Sequence, residues 1–211
     1  MISLFIDTSN SDVSIAVCKD DEILASICDS IPNMHSVYVV PYLEKIVNEA
    51  GVDFSDIDKI MVVNGPGSFT GIRIGLTVAK ILGYCLNKSI IPVSSLKALA
   101  LSSSGDYIMS IIDARNDNYY IGFYDSYYNE IIPEHFANIK EINDLLLKYD
   151  DVCLVSNSEL NINGYIVDKV SYDVLNIVNY YMGEEEIDAH NLKSNYLKLP
   201  QAVCDHNDKW S

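Results

Sequence analysis

The sequence predicts an α/β fold of two similar lobes, each built on a mixed β-sheet flanked by helices. The first observation is that strand-like segments alternate with helix-like segments along the first lobe. The second is an internal repeat, in which residues 5–17 align with residues 111–123 at a constant offset of 106. Asp7 and Asp113 are equivalent in this repeat, and the apolar pattern around them is kept. A duplicated lobe is therefore predicted.

The elements of the first lobe follow from hydrophobic periodicity. Alternating apolar residues predict strands and apolar residues three or four positions apart predict helices. Strands are predicted at 2–7, 13–18, 22–27, 59–64 and 90–93, and helices at 35–50 and 69–86. Pro41 either kinks the first helix or marks a later start, and Gly51 ends it.

The second lobe has a less regular pattern. Strands are predicted at 107–113, 118–125, 128–132, 152–155 and 165–167, and helices at 141–149 and 172–182. A run of small residues at 102–105 is suited to a linker. We therefore expect an N-terminal lobe at 1–101 and a smaller C-terminal lobe at 102–211.

Composition and charge limit the classes of function. The formal net charge is −16, so strong direct binding to a nucleic-acid backbone is not expected. The sequence has no run of 18 apolar residues, so no membrane span is predicted. The first residues lack the basic region of a signal peptide, so a cytoplasmic protein is expected. The five cysteines have no CxxC spacing, which indicates buried thiols in place of disulfides or a zinc ribbon.

The segment from Gly65 to Gly75 is the most informative motif. It predicts a strand, a tight glycine turn and a helix start, but it lacks the lysine and hydroxyl of a P-loop. Ser68 fits a helix N-cap better than a nucleophile, since no histidine lies within the motif. Four small residues share one face of the predicted helix: Gly71, Gly75, Ala79 and Gly83. We expect another backbone to approach this face closely and interpret it as a partner surface.

Several segments together resemble the TsaB family. The resemblance is carried by 6–9, 35–36, 65–75, 92–96, 113–115 and 196–198, and it is strong in the first lobe. It implies the actin-like, sugar-kinase-like fold of two duplicated lobes. It also implies a non-catalytic scaffold role in threonylcarbamoyladenosine modification of tRNA, beside the anticodon. A TsaD-like catalytic subunit, a TsaE-like ATPase and a second copy of the chain are the implied partners. No cofactor is expected, and tRNA is expected to be contacted only indirectly.

The resemblance also assigns site residues. The partner interface is expected at His35, Tyr38, Tyr42, Gly71, Arg73, Gly75, Ala79 and Gly83, and a vestigial phosphate loop at Asp7, Thr8 and Asp113. TsaD proteins carry a metal-binding histidine pair where this chain has Ser95 and Leu99, so no metal site is expected.

Alternative interpretations remain for these residues. Asp7 and Asp113 would organise a cation and phosphates, or hydrogen-bond only to their own turns. Arg73 would contact an anion or a carboxylate at the dimer surface, or be an ordinary exposed arginine. His35 fits a structural or interface role better than metal ligation. The alternative function is a metal-dependent glycoprotease-like peptidase or a small ATP-dependent kinase of the same fold.

Overall fold

Two five-stranded sheets with the same strand order form the centre of the molecule. The computed structural model describes residues 1–162 and 164–197. The first sheet has the order β3-β2-β1-β4-β5 and the second the order β8-β7-β6-β9-β10. In both sheets the first three strands in the chain pair antiparallel, and the remaining pairs are parallel. The duplicated two-lobe fold that the repeat predicts is therefore confirmed.

The strands and helices have the following bounds. The first sheet contains β1 (Ile2–Asp7), β2 (Asp12–Lys19), β3 (Glu22–Ser30), β4 (Lys59–Gly65) and β5 (Ile90–Ser94). The second contains β6 (Tyr107–Asp113), β7 (Asn118–Asp125), β8 (Glu130–Asn138), β9 (Val152–Ser156) and β10 (Asp168–Lys169). The helices are α1 (His35–Glu49), α2 (Phe69–Leu86), α3 (Ser95–Leu101), α4 (Ile139–Leu146) and α5 (Val174–Tyr181).

The first sheet is covered by helices on both faces. One apolar cluster packs α1 and α2 against the sheet, and a second packs α3 and α5 against its other face. Consecutive strand residues such as Leu4, Phe5 and Ile6 are therefore all fully buried. Continuous apolar runs in β1 and β4 follow from this layering.

Helices α1 and α2 begin where the sequence predicts them. α1 begins at His35 and contains Pro41, so a later start is excluded. Ser68 caps α2, and its Oγ accepts a hydrogen bond from the N–H of Gly71 at 3.2 Å. α2 ends at a left-handed residue, Asn87, with φ of 53°. By length and composition α2 could cross a membrane, but its glycine face packs on the sheet of its own chain.

The second lobe differs from the sequence prediction at three places, namely the end of β8, the start of α4 and residues 165–167. β8 extends to Asn138, beyond the predicted 128–132, and α4 begins earlier than the predicted 141–149. The cause is Asn138, whose side chain accepts a hydrogen bond from the N–H of Glu141 at 3.0 Å and caps α4. No strand forms at 165–167; the short pairing with β9 is made by β10.

The chain returns to the first sheet after β10. α5 packs on β1 and β2, and Ile187 pairs with Ile90 through backbone hydrogen bonds of 2.8 and 2.9 Å. The N–H of Asn195 donates to the carbonyl of Asn64 at 2.8 Å. Residues 174–197 therefore follow the second sheet in sequence but pack against the first. The patternless tail at 201–211, with Cys204 and Trp210, and Lys198 of the family motif lie outside the described residues.

Candidate functional site

A cleft of about 700 Å³ lies between the two lobes. It is formed by the turns that follow β1, β4, β6 and β9 and by the start of α1, because parallel strands present their carboxyl ends at one edge. Among its lining residues are Ser9, Asn10, His35, Ser68, Asp113, Arg115 and Asn157. The repeat therefore brings both equivalent turns close to one cleft.

Asp7 and Asp113 close their own turns. Asp7 is fully buried, and its carboxylate accepts from the N–H of Ser9 at 2.7 Å. Asp113 is exposed, and its carboxylate accepts from the N–H of Arg115 at 2.7 Å. Both carboxylates therefore form the hydrogen bonds within their own turns that the turn-forming interpretation predicts. The predicted phosphate-loop set needs correction, because Asp113 lines the cleft and Asp7 and Thr8 do not.

The buried carboxyl of Asp7 predicts a pH-dependent stability. Burial raises the pKa of Asp7 to about 6 in the folded chain, from 3.8 in the unfolded chain. Between these values the folded chain keeps a proton that the unfolded chain releases, so this group lowers stability as pH rises towards 6. As the pH is raised from 5 to 7.5, we expect the free energy of unfolding of Asp7→Asn to rise by about 1 kcal/mol relative to that of the parent chain. Urea unfolding at both pH values measures it.

The matched control is Asp113→Asn, which changes the exposed carboxylate of the equivalent turn. Identical pH profiles for Asp7→Asn and Asp113→Asn would contradict a protonated Asp7 in the folded chain.

The glycine motif holds α2 against the turn after β1. The hydroxyl of Thr8 donates to the carbonyl of Gly71 at 2.7 Å, and the N–H of Ser68 donates to the carbonyl of Ser9 at 2.7 Å. A Cβ atom on Gly71 would lie far inside van der Waals contact with the Thr8 carbonyl oxygen. A Cβ on Gly75 would lie 2.5 Å from the Thr8 hydroxyl oxygen. The missing side chains at Gly71 and Gly75 are therefore required by close contacts with Thr8 of the same chain.

The interpretation of the small-residue face as a partner surface is wrong. Gly71, Gly75, Ala79 and Gly83 are all buried on the side of α2 that packs on the first sheet. Gly83 meets Ile90 of β5, where a Cβ would come within 2.9 Å of the isoleucine side chain. A close backbone approach does occur, but the approaching segments belong to the same lobe.

The aromatic and histidine residues predicted on α1 have structural contacts. His35 is buried, and its Nε2 lies 2.9 Å from the carbonyl oxygen of Asn10, which joins α1 to the turn after β1. Tyr42 is half-buried and donates a short hydrogen bond to Asp29 of β3, and the Tyr38 ring packs on the Tyr42 ring. His35 and Tyr42 therefore contact other elements of their own lobe, and a role of these residues at a partner interface stays a prediction.

A groove between α1 and α2 is the surface that the sequence analysis missed. This helix groove has a volume of about 420 Å³, and among the described residues Arg73 is the one charged side chain that lines it. It is lined by Ser36, Val39, Val40, Phe69, Thr70, Arg73, Ile74, Thr77 and Val78. Val40 in this lining is 48% exposed, and two further apolar residues of the same helices, Val37 of α1 and Ile81 of α2, are 58% and 57% exposed. Apolar residues outside the buried face of each helix are the signal that could have indicated it.

A polar network joins the two sheets behind the cleft. Glu134 of β8 accepts a short hydrogen bond from Ser94 and a second from the Tyr124 hydroxyl at 2.8 Å. Lys97 of α3 donates to the carbonyl of Tyr128 at 2.5 Å and lies 4.3 Å from the centroid of the Tyr124 ring. Burial raises the pKa of Glu134 and lowers the pKa of Lys97. These contacts fix α3 between the lobes.

The positions equivalent to the TsaD histidine pair are buried. Ser95 and Leu99 of α3 have no exposed surface, and Leu99 packs in an apolar cluster with Leu96 and Ile108. The Ser95 hydroxyl contacts the Ser9 hydroxyl at 3.5 Å. Both side chains therefore serve the packing between the sheets.

Comparison with known proteins places the chain among tRNA-modification proteins. A family model, TsaD: tRNA N6-adenosine threonylcarbamoyltransferase, matches residues 26–174. The Bacillus subtilis protein named tRNA threonylcarbamoyladenosine biosynthesis protein TsaB is 30% identical over 233 residues, covering 100% of this chain and 98% of that relative. A tRNA N6-adenosine threonylcarbamoyltransferase of Thermodesulfovibrio yellowstonii is 36% identical over 112 residues, covering 46% of this chain and 34% of that relative.

A crystal structure from Pseudomonas aeruginosa supports the same fold. It is described as an uncharacterized protein with similarity to peptidase YeaZ, and it superposes with a TM-score of 0.79. The sequence identity is 24%, with 93% of this chain and 99% of that chain covered. At this identity the likeness bears on the fold alone.

Proposed function

The chain belongs to the TsaB family of tRNA threonylcarbamoyladenosine biosynthesis proteins, and we propose that it acts there as a non-catalytic subunit that pairs with a TsaD-like transferase. Its role in threonylcarbamoyladenosine modification of tRNA follows from the family. The pairing is proposed to use the helix groove. By covering this apolar face, each subunit would stabilise the other and hold the transferase in a competent shape.

The observation that carries the proposal is the open helix groove. Of its apolar lining residues, Val40 and Phe69 are exposed and Ile74 and Val78 are partly exposed, and no segment among the described residues covers them. Exposed apolar surface of this kind marks an association site. The transferase family model covers residues 26–174, a range that includes both α1 and α2. A TsaD-like partner would therefore present a similar helix pair, and two such pairs can bury their apolar faces against each other. The same argument applies to a second copy of this chain.

A non-catalytic role is supported by the chemistry of the cleft. The buried carboxyl of Asp7 closes its own turn and does not line the cleft. Among the described residues, Asp113 is therefore the one carboxylate that lines the cleft, whereas a two-carboxylate phosphate site would need a second. The alternative functions, a peptidase or a kinase, gain no support from this arrangement.

Charge and composition suggest where the other partners bind. Thirty acidic and fourteen basic side chains give a surface that repels the phosphate backbone. We therefore propose that tRNA contacts lie mainly on the partner subunits and that a TsaE-like ATPase joins the assembled pair. A cytoplasmic location belongs to the same proposal.

Reconstitution with purified components tests this function. The chain, the TsaD-like protein of the same organism and a TsaE-like ATPase are assayed alone and combined, with ATP and an activated threonylcarbamoyl donor present, for threonylcarbamoyl transfer to tRNA. We expect transfer only when this chain and the TsaD-like protein are both present, and co-elution of the two on size exclusion. Transfer, peptide cleavage or phosphorylation by the chain alone would contradict the non-catalytic role. Full transfer by the TsaD-like protein without this chain would contradict the need for a scaffold.

A further inference from the structure

A second cavity adjoins the helix groove on the far side of α2. It has a volume of about 360 Å³ and lies between α2 and the returning segment at 192–196. Three of its lining side chains are cationic: Arg73, Lys80 and Lys193. Arg73 and Thr77 line both this basic cavity and the helix groove, so the two form one continuous surface.

The Arg73 side chain is held in place by two aromatic rings. Its guanidinium carbon lies 3.8 Å from the centroid of the Phe69 ring, and its Nε donates to the Tyr196 hydroxyl at 3.2 Å. The rings of Phe69 and Tyr196 stack with centroids 5.3 Å apart. Arginine has five N–H donors, and only Nε has a hydrogen-bond partner among the described residues. The terminal nitrogens of a guanidinium group held in one position can bind a carboxylate through two parallel hydrogen bonds.

The charge of the basic cavity contrasts with that of the chain. The net charge is −16, yet no carboxylate among the described residues lines this cavity. Two other lysines have carboxylate partners, in the pairs Lys45–Glu49 and Lys59–Glu186. Within the described part of the chain, Arg73, Lys80 and Lys193 form no ion pair. Three unpaired cations around one cavity create a local positive potential that favours an anionic group.

We propose that the basic cavity binds carboxylate side chains of the TsaD-like partner that docks in the helix groove, with Arg73 as the central contact. This inference rests on the proposed function. Its support is the continuity of the two surfaces: a partner seated on the apolar groove places its rim over the cations. A polar rim with complementary charge around an apolar centre is usual for specific interfaces. An RNA backbone is disfavoured, because the strongly acidic remainder of the chain would repel its neighbouring phosphates.

The experiment measures binding to the purified TsaD-like protein at 50 mM and 300 mM NaCl. We expect Arg73→Gln to weaken binding about tenfold at low salt and less at high salt, because charge pairs at an interface rim are screened. The double variant Lys80→Gln/Lys193→Gln is expected to act in the same direction, and Arg73→Lys to restore part of the affinity. Lys140→Gln, at an exposed position of α4 in the second lobe, removes one positive charge elsewhere as the matched control. Thermal unfolding verifies that each variant is folded.

Three outcomes overturn the inference. In the first, the parent chain binds its partner, and neither Arg73→Gln nor the lysine double variant changes the affinity or its salt dependence. This result overturns the inference about the basic cavity and leaves the proposed function standing. In the second, the same variants bind the partner as the parent chain does but bind an unmodified tRNA anticodon stem-loop more weakly. This result would assign the basic cavity to RNA. Absence of any complex with the parent chain overturns the proposed function and this inference together.

Discussion

Gly71→Ala is expected to lower the free energy of unfolding by about 3 kcal/mol, because inserting a methyl group into a packed backbone contact forces the chain to shift. The new Cβ would overlap the carbonyl oxygen of Thr8, which is backbone and cannot rotate away. Relief of the overlap would also stretch the bond from the Thr8 hydroxyl to the Gly71 carbonyl. Urea unfolding followed by circular dichroism measures the loss.

Gly183→Ala is the matched control for this substitution. Gly183 follows α5, and a Cβ there would meet no atom within 4 Å. We expect its free energy of unfolding to stay within about 0.5 kcal/mol of the parent chain. Equal stability of Gly71→Ala and Gly183→Ala would contradict the contact between α2 and Thr8. A substitution of the buried Gly75 by a larger residue would destabilise the monomer for the same reason.

Val40→Asp is expected to abolish the complex with the TsaD-like partner, with a loss of affinity of at least about 100-fold, because burying an unpaired carboxylate in an apolar interface is costly. Val40 lines the helix groove and is 48% exposed in the free chain. Its substitution should therefore leave the monomer folded. Isothermal titration calorimetry with the purified partner measures the effect, and circular dichroism verifies the fold.

The control places the same change on another exposed apolar residue. Leu147 directly follows α4 of the second lobe and is 81% exposed. Leu147→Asp is expected to bind the partner as the parent chain does. Equal affinities for Val40→Asp and Leu147→Asp would locate the partner surface away from the helix groove.

The internal repeat predicts β6 and β7 of the second sheet without any structural information. β2 spans Asp12–Lys19 and β7 spans Asn118–Asp125, so both ends differ by the offset of the repeat. Strand alternation survives changes of individual residues, because a sheet requires apolar character on a buried face more than a particular side chain. The start of α4 was missed because one residue, Asn138, decides it through a single side-chain hydrogen bond.

The sequence by itself determined the duplicated α/β fold, the cap at Ser68 and the need for a backbone close to the glycines of α2. Only the tertiary structure decided that this backbone is the turn at Thr8 of the same chain, and that the opposite face of α2 is the open one. The physical reason is that periodicity defines a face of a helix but not what packs on it. Contacts such as Thr8 with Gly71, or Arg73 with Tyr196, join residues far apart in the chain and leave no local pattern.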